Sequence, residues 1–325
     1  MTINAIRVSQ TGGAEELKYQ TVEIGEPKAG EAKVRHVAVG VNFIDVYFRT
    51  GLYKAEKLPF TPGNEGAGIV VAVGEGVTNV KIGDRVAYVG SPGSYADERI
   101  MPADRLVIVP DEVDLKQAAG MMLKGMTAQY LLRQTFKIQA GTTILFHAAA
   151  GGVGLIAGQW AKHLGATVIG TAGSEEKANL ARAHGFDHVI NYNTENFVDR
   201  VKEITNGAGV DVVYDSVGKD TYMGSLDVLK FRGMLVSFGQ SSGSIPPFDL
   251  GLLSQKGSLF VTRPTLFHYI AKREELEQTA QDLFDVVAKG VVKININQTY
   301  ALKDARQAHE DLEGRKTTGG TILIP

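Results

Sequence analysis

The stretch Leu145–Lys162, LFHAAAGGVGLIAGQWAK, carries small residues at a spacing that chemistry can use. Ala149, Gly151 and Gly154 stand where a strand-to-helix turn of the form G-x-G-x-x-G has its three glycines, and Gly152 adds a further small residue. In such a turn the first glycine closes a tight bend. The second lets backbone approach a pyrophosphate, and the third lets the helix pack close to the strand. Ala149 departs from the pattern, and alanine serves there if the turn keeps φ negative. The helix expected from about Val153 would point free N–H groups and its positive dipole end at phosphates. The plain alternative is a tight strand–helix connection with no ligand. Context favours a dinucleotide, because a strand precedes, a helix follows and the unit recurs downstream.

The end of the second strand decides which dinucleotide. An Asp or Glu there would bond a ribose 2′-hydroxyl. In ATVIGTAGSEEK that place falls near Ala172, with no carboxylate. Gly173 and Ser174 follow, and Lys177 sits one helical turn on. A hydroxyl, backbone N–H groups and an ammonium would attract a 2′-phosphate, which points to NADPH. Lys177 read alone is a solvated surface lysine, so the missing acid weighs more. Tyr192, in INYN, either packs on the adenine edge or is an ordinary strand-end tyrosine.

These residues need elements to position them. NAIRVSQTGG, AKVRHVAVGVN, AGIVVAVGEGV and VKIGDRVAYVG read as short strands, with Gly83-Asp84 a turn. Residues 1 to about 123 form a mainly β region. From Lys124 the pattern changes to strand, helix, strand, helix: GMTAQYLLRQTF, TTILFHAA, the glycine turn and its helix, ATVIGTAG, SEEKANLARAHG, HVINYN, NFVDRVKEIT, VDVVYDSVG, TYMGSLDVLK, GMLVSFGQ. Apolar strands alternating with amphipathic helices imply a parallel sheet covered on both faces. After GSLFVTRP a long helix is expected over roughly Leu266–Lys289, then strand, helix and a last strand, GTILIP. This tail is expected to return to the first region, which splits the chain into 1–123 with 267–325, and 124–266.

Composition narrows the class. At 325 residues the chain is long for one core and suits two domains. Apolar residues make up 44% and the net charge is -2, with no basic stripe interleaved with aromatics, so nucleic-acid binding is not expected. There is no cysteine, which rules out disulfides and thiolate zinc sites. No signal-like start and no eighteen-residue apolar run occurs, so a cytoplasmic protein without a membrane partner is expected. Of the 7 histidines only His184 and His188 stand four apart, and none shows triad spacing. His147 is expected to be a strand-end histidine with a backbone partner, and no general base or nucleophile is assigned.

GVNFIDVYFRTGLY (40–53), PGNEGAG (62–68), LKGMTAQYLL (123–132), HAAAGGVG (147–154) and YDSVG (214–218) occur together in this order. With them the whole chain resembles the NADPH-dependent quinone oxidoreductases, the zeta-crystallin-like branch of the medium-chain dehydrogenase/reductase superfamily. The resemblance implies an α/β protein with a GroES-like β domain split around a Rossmann domain. It also implies a homodimer paired through sheet edges near 257–264. Zinc alcohol dehydrogenases of the superfamily carry Cys where this chain has Asn42 and His where it has Asn64. Their structural-zinc cysteines have no counterpart, so no metal is expected. Asparagine is a poor zinc ligand, and alcohol dehydrogenation is disfavoured without a Lewis acid.

The resemblance implies a reaction and a site. NADPH would reduce a quinone to the semiquinone or hydroquinone in a cleft between the two domains. Asn42, Asp45 and Tyr47 would line the nicotinamide side, and Tyr53 would bound the quinone pocket. Thr127 would bond the carboxamide, with Gly151, Gly152 and Val153 at the pyrophosphate. Gly173, Ser174, Lys177 and Tyr192 would take the 2′-phosphate end. Ser216, Phe238, Gly239 and Ser241 follow later strands, and Arg315, in GRKTTGG, would reach in from the tail. Related tails often read TTGK, where this chain has Gly320. Plainer readings stand beside these. Asp45 would cap a helix, and Tyr47 and Tyr53 would be packing residues with wet hydroxyls. Two other functions fit the same fold. One is an NADPH-dependent alkenal or enone reductase with Tyr47 or Tyr53 as proton donor. The other is a structural or RNA-binding protein that holds NADPH.

Overall fold

The valine-rich runs of the first hundred residues form short strands, as their alternation predicts. The computed structural model describes residues 1–325. β1 (Thr2–Arg7) pairs with β2 (Lys18–Glu23) in a small antiparallel ribbon. β3 (Glu31–Gly40) leads into α1 (Phe43–Thr50). β4 (Glu65–Val73), β5 (Arg85–Val89), β6 (Glu98–Pro102) and β7 (Val107–Ile108) follow. α2 (Leu115–Tyr130) begins earlier than the helical spacing from Lys124 suggests. Asp114 explains the start: its Oδ1 accepts from the Lys116 and Gln117 N–H groups.

Next comes the alternating region: β8 (Thr143–Phe146), α3 (Gly152–His163), β9 (Thr167–Ala172), α4 (Glu175–Arg182), β10 (His188–Asn191) and α5 (Phe197–Ile204). It continues with β11 (Val210–Asp215), α6 (Tyr222–Asp227), β12 (Leu229–Ser237), α7 (Gly251–Gln255) and β13 (Phe260–Thr262). These strands make one parallel sheet, β10-β9-β8-β11-β12-β13. β8 sits inside the sheet, and the strand order reverses beside it. Leu145, Ile169, Ile190, Val213 and Leu235 form its core.

One expectation fails in the tail. The long helix over 266–289 is two pieces, α8 (Leu266–Tyr269) and α9 (Arg273–Ala288). At the break the Arg105 guanidinium donates to the Ile270 and Ala271 carbonyls, and the Glu275 carboxylate accepts from the Lys272 N–H where α9 begins. β14 (Ile296–Ala301), α10 (Ala305–Glu313) and β15 (Gly320–Ile324) complete the chain. β15 pairs with both β14 and β3, so the tail joins the sheet β14-β15-β3-β4-β5-β7, with β6 also on β3. The chain divides into two units. One is Met1–Met126 with Ile270–Ala288 and Ile294–Pro325; the other is Thr127–Tyr269 with Lys289–Lys293.

Candidate active site

In the second unit the glycine turn crosses from β8 to α3. The left-handed residue is Ala148, with φ of 56°, and Ala149 is not among the positive-φ residues. The Ala149 N–H instead bonds the Thr171 carbonyl at 2.9 Å, locking the turn to β9. Gly151 caps α3, whose first-turn N–H groups lie outside the helical ladder. Gly154 needs its missing side chain: a Cβ there would lie 2.5 Å from the Ala149 carbonyl oxygen and 2.6 Å from that of Ala148. The helix start is therefore pressed onto the turn, with Gly151, Gly152 and Val153 half-buried at its mouth.

The loop after β9 gathers the residues expected at a 2′-phosphate. Ser174 caps α4 by accepting from the Lys177 N–H at 3.2 Å. A Cβ on Gly173 would lie 2.5 Å from the Tyr192 hydroxyl, so that ring lies over the loop. The Asn193 amide also donates to the Gly173 carbonyl at 2.6 Å, a contact the sequence did not suggest. Of the carboxylates that follow, Glu175 turns to Arg182 at 2.7 Å. Beyond β11, the Ser241 N–H bonds the Ser216 carbonyl at 3.1 Å, and Gly239 packs against Ser216. Phe238 tilts against Phe146, with ring centroids 5.6 Å apart. Thr127 is half-buried on α2.

His147 does not have the expected backbone partner for its ring. It is buried between two hydroxyls, Thr171 Oγ1 at 3.0 Å from Nδ1 and Ser225 Oγ at 3.0 Å from Nε2. The ends of β8 and β9 and the helix α6 converge there, and none of that is visible along the chain.

Asn42, Asp45, Tyr47 and Tyr53 belong to the first unit, on or beside α1. The Tyr47 and Tyr53 rings meet edge to face at 5.3 Å, and Phe48 adds an edge to Tyr53 at 5.8 Å. Both tyrosines keep part of their surface in solvent. Asp45 is corrected from lining residue to cap. It is fully buried, and its Oδ2 accepts from the Asn42 N–H at 2.8 Å and the Tyr95 hydroxyl at 2.9 Å. Arg315 lies exposed in the turn after α10, in the same unit.

Behind α1 the unit holds charge that the motifs only hinted at. Glu65 is fully buried. It accepts from the Asn42 amide at 2.7 Å, the Leu123 N–H at 2.6 Å and the Lys124 ammonium at 2.9 Å. Arg49, also buried, grips Glu313 through two bonds of 2.9 and 2.8 Å. Arg49 also faces His309 Nδ1 at 3.3 Å. Arginine only donates, so Nδ1 accepts and His309 Nε2–H donates to the Tyr95 oxygen at 3.1 Å. The Tyr95 hydroxyl in turn donates its hydrogen bond to Asp45 Oδ2. Burial pushes Asp45 up to about 7, against the pull of the Asn42 and Tyr95 bonds. Burial, helped by Arg49, drives His309 down to about 3. A charged residue inside an otherwise small or apolar motif, as in PGNEGAG and LKGMTAQYLL, was the signal that could have exposed the Glu65–Lys124 pair.

Against known proteins, residues 28–111 match the alcohol dehydrogenase GroES-like domain family and residues 152–288 the zinc-binding dehydrogenase family. The chain is 53% identical over 321 residues to a quinone oxidoreductase of Pseudomonas aeruginosa, covering 98% of this chain and 99% of that one. The crystal structure of Escherichia coli quinone oxidoreductase complexed with NADPH superposes with a TM-score of 0.97 at 50% identity, over 99% of this chain and 100% of that one. A 2-haloacrylate reductase of a Burkholderia species is 46% identical, over 99% of each chain.

The second family's description implies zinc, and the donor set here does not fit it. Asn42 spends its amide N–H on Glu65, and Glu65 already holds the Lys124 ammonium at 2.9 Å. The Asn64 amide donates to the Gly90 carbonyl at 2.7 Å. No group of three His, Cys, Asp or Glu side chains converges anywhere in the chain.

Proposed function

This chain belongs to the quinone oxidoreductase family, and from that premise we propose that it reduces quinones with NADPH. The observation that carries the proposal is the chain-long likeness to a quinone oxidoreductase solved with NADPH. The residues present fit that cofactor. The α3 N-terminus with Gly151, Gly152 and Val153 would hold the pyrophosphate. Ser174, Lys177 and the backbone at Gly173 would hold a 2′-phosphate, with Tyr192 beside them and no acid at the end of β9 to repel it. Thr127, Ser216, Phe238, Gly239 and Ser241 would complete the cofactor side, and Arg315 the tail's contribution. When bound, NADPH supplies the hydride.

The chain's own task is binding and orientation. A quinone is electron-poor and accepts reducing equivalents without a Lewis acid. Asn42, fixed through Glu65 and Asp45, would present a rigid polar edge at the start of α1. The Tyr47–Tyr53 pair would offer a flat aromatic wall. No nucleophile is needed.

The likeness to 2-haloacrylate reductase supports a second reading, hydride addition to an activated C=C bond. That reaction needs a proton at the α-carbon, and Tyr47 or Tyr53 would give it. Loss of NADPH absorbance with benzoquinones, larger ortho-quinones and 2-alkenals, NADH run in parallel, separates the two. Turnover of quinones with NADPH is expected. Turnover of alkenals alone would move the assignment to the second reading, and Tyr47→Phe and Tyr53→Phe would then find the donor.

A cytoplasmic homodimer completes the proposal. β13 is a three-residue edge strand, Phe260 on it is 56% exposed and Phe231 nearby is 84% exposed. An apolar, unpaired sheet edge is a surface that a second copy can extend. Sedimentation equilibrium should give twice the chain mass, and a monomer would remove this part. No helix is long and apolar enough to cross a membrane.

A further inference from the structure

The buried hydrogen-bond chain beneath the glycine turn is unused by the function just proposed. Asp215, at the end of β11, is fully buried. Its Oδ1 accepts from the Val217 and Gly218 N–H groups at 2.7 and 3.0 Å. Its Oδ2 accepts from Thr221 Oγ1 at 2.8 Å and Ser225 Oγ at 3.2 Å. A carboxylate only accepts, so the single Ser225 proton points at Asp215. Ser225 Oγ must then accept from His147 Nε2–H. The other ring nitrogen, Nδ1, carries no proton and accepts from the Thr171 hydroxyl. Burial lowers the His147 pKa, in keeping with a neutral ring. Every proton in the chain is thereby assigned.

The same assignment excludes a hydrolytic triad. Ser225 lies between His147 and Asp215, its proton faces the acid, and the nearest imidazole nitrogen is a donor rather than a base. Both side chains are sealed from solvent.

The two arms of the imidazole end at different loops. The Nδ1 arm holds Thr171, two residues before Gly173, and the Thr171 carbonyl also takes the Ala149 N–H. The Nε2 arm runs through Ser225 on α6 to Asp215, which sets the Ser216–Gly218 turn. We propose that His147 is a positioning residue with two separable effects: the Thr171 arm registers the Gly173–Ser174 loop and so governs preference for NADPH over NADH, while the Ser225–Asp215 arm supports both dinucleotides equally. The proposal rests on the NADPH reading above.

Fluorescence titration of the cofactor-free protein with NADPH and with NADH tests it, with melting curves alongside. Thr171→Val should cut the NADPH-over-NADH affinity ratio about fivefold, the scale of one buried hydrogen bond. Thr171→Ser, which keeps the hydroxyl, should restore it. Ser225→Ala should weaken both dinucleotides by the same factor. A Thr171→Val protein that folds and keeps the wild-type ratio, or that loses both affinities equally, overturns the proposal. Should Thr171→Val fail to fold, Thr171→Ala, which also lacks the hydroxyl, carries the same expectation. Wild-type protein that shows no preference for NADPH would instead overturn the cofactor reading, and this inference with it.

Discussion

Around α1 the first unit buries charge, while beneath the glycine turn the second unit buries almost none. Asp45, Arg49, Glu65 and Lys124 are all sealed near Asn42, whereas Asp215 is the lone acid or base in the second unit's buried polar set apart from a neutral histidine. Both arrangements place a loop. The second unit does it with hydroxyls, an imidazole and backbone N–H groups, each with one proton and one destination. The first does it with ion pairs whose partners must be present together. Breaking a buried pair costs far more than a surface one, because the survivor stays charged and dry. The first region should therefore be the brittle one.

The largest effect is expected at Glu65. Glu65→Ala leaves the Lys124 ammonium, the Asn42 amide and the Leu123 N–H without their acceptor. Urea unfolding should show a loss of about 3–5 kcal/mol. A loss below about 1 kcal/mol would mean that the buried charges are not coupled, and the contrast between the units would fail.

Acidity sharpens the same contrast. Asp45, raised to about 7, holds its proton in the fold over a range where the unfolded chain has lost it. Its contribution is full below the ordinary value of 3.8 and is lost as pH rises through about 7. His309, lowered to about 3, contributes fully above 6.5, and that contribution is lost as pH falls towards about 3. The two slopes oppose each other across one window. Relative to wild type, Asp45→Asn should therefore gain about 2–4 kcal/mol between pH 4 and pH 8. His309→Gln should gain in the opposite direction, as pH falls from 7 to 4. Differences from wild type are the quantity to measure, because the buried His36 and His147 are lowered with the same sign as His309. Curves parallel to wild type would show that neither group titrates this way.

In the second unit the sensitive feature is space. Gly154→Ala would press a methyl against two carbonyl oxygens of the turn. About a tenfold loss in NADPH affinity is expected from the shift this forces, with a smaller change in melting temperature. Unchanged affinity would mean that α3 can back away from the turn. The smallest effect belongs to exposed charge. Glu175→Gln removes a pair with Arg182 in which both side chains are well exposed, 64% and 41%. Its cost should stay under about 0.5 kcal/mol in the same urea assay, and a larger one would blur the line between buried and surface pairs.

Much of this was legible along the chain, for local reasons. Alternation gave the strands, and the small-residue spacing gave the turn with Gly154 at its crowded point. The blank after Ala172 showed where a carboxylate was missing. Asn42 and Asn64 stood out because, by the resemblance, they stand where zinc alcohol dehydrogenases carry Cys and His. What misled was also local. Leu266–Lys289 reads as one helix because it holds no glycine or proline, and nothing in it marks the break at 270–272, where Arg105 reaches the Ile270 carbonyl from 165 residues away. Asp45 reads as a site residue because it shares a motif with Asn42 and Tyr47, and only Tyr95 and the Asn42 N–H reveal it as a buried cap.

By itself the sequence determined the strand–turn–helix unit, the dinucleotide it suits and the want of any thiolate ligand, since those depend on side-chain type and short spacing. Tertiary structure alone decided the rest. Glu65 meets Lys124 across 59 positions, Arg49 meets Glu313 across 264, and His147 meets Thr171 and Ser225 across 24 and 78. A buried charge or proton takes its partner from whichever strand or helix the fold brings beside it, and that distance in space is not written in distance along the chain.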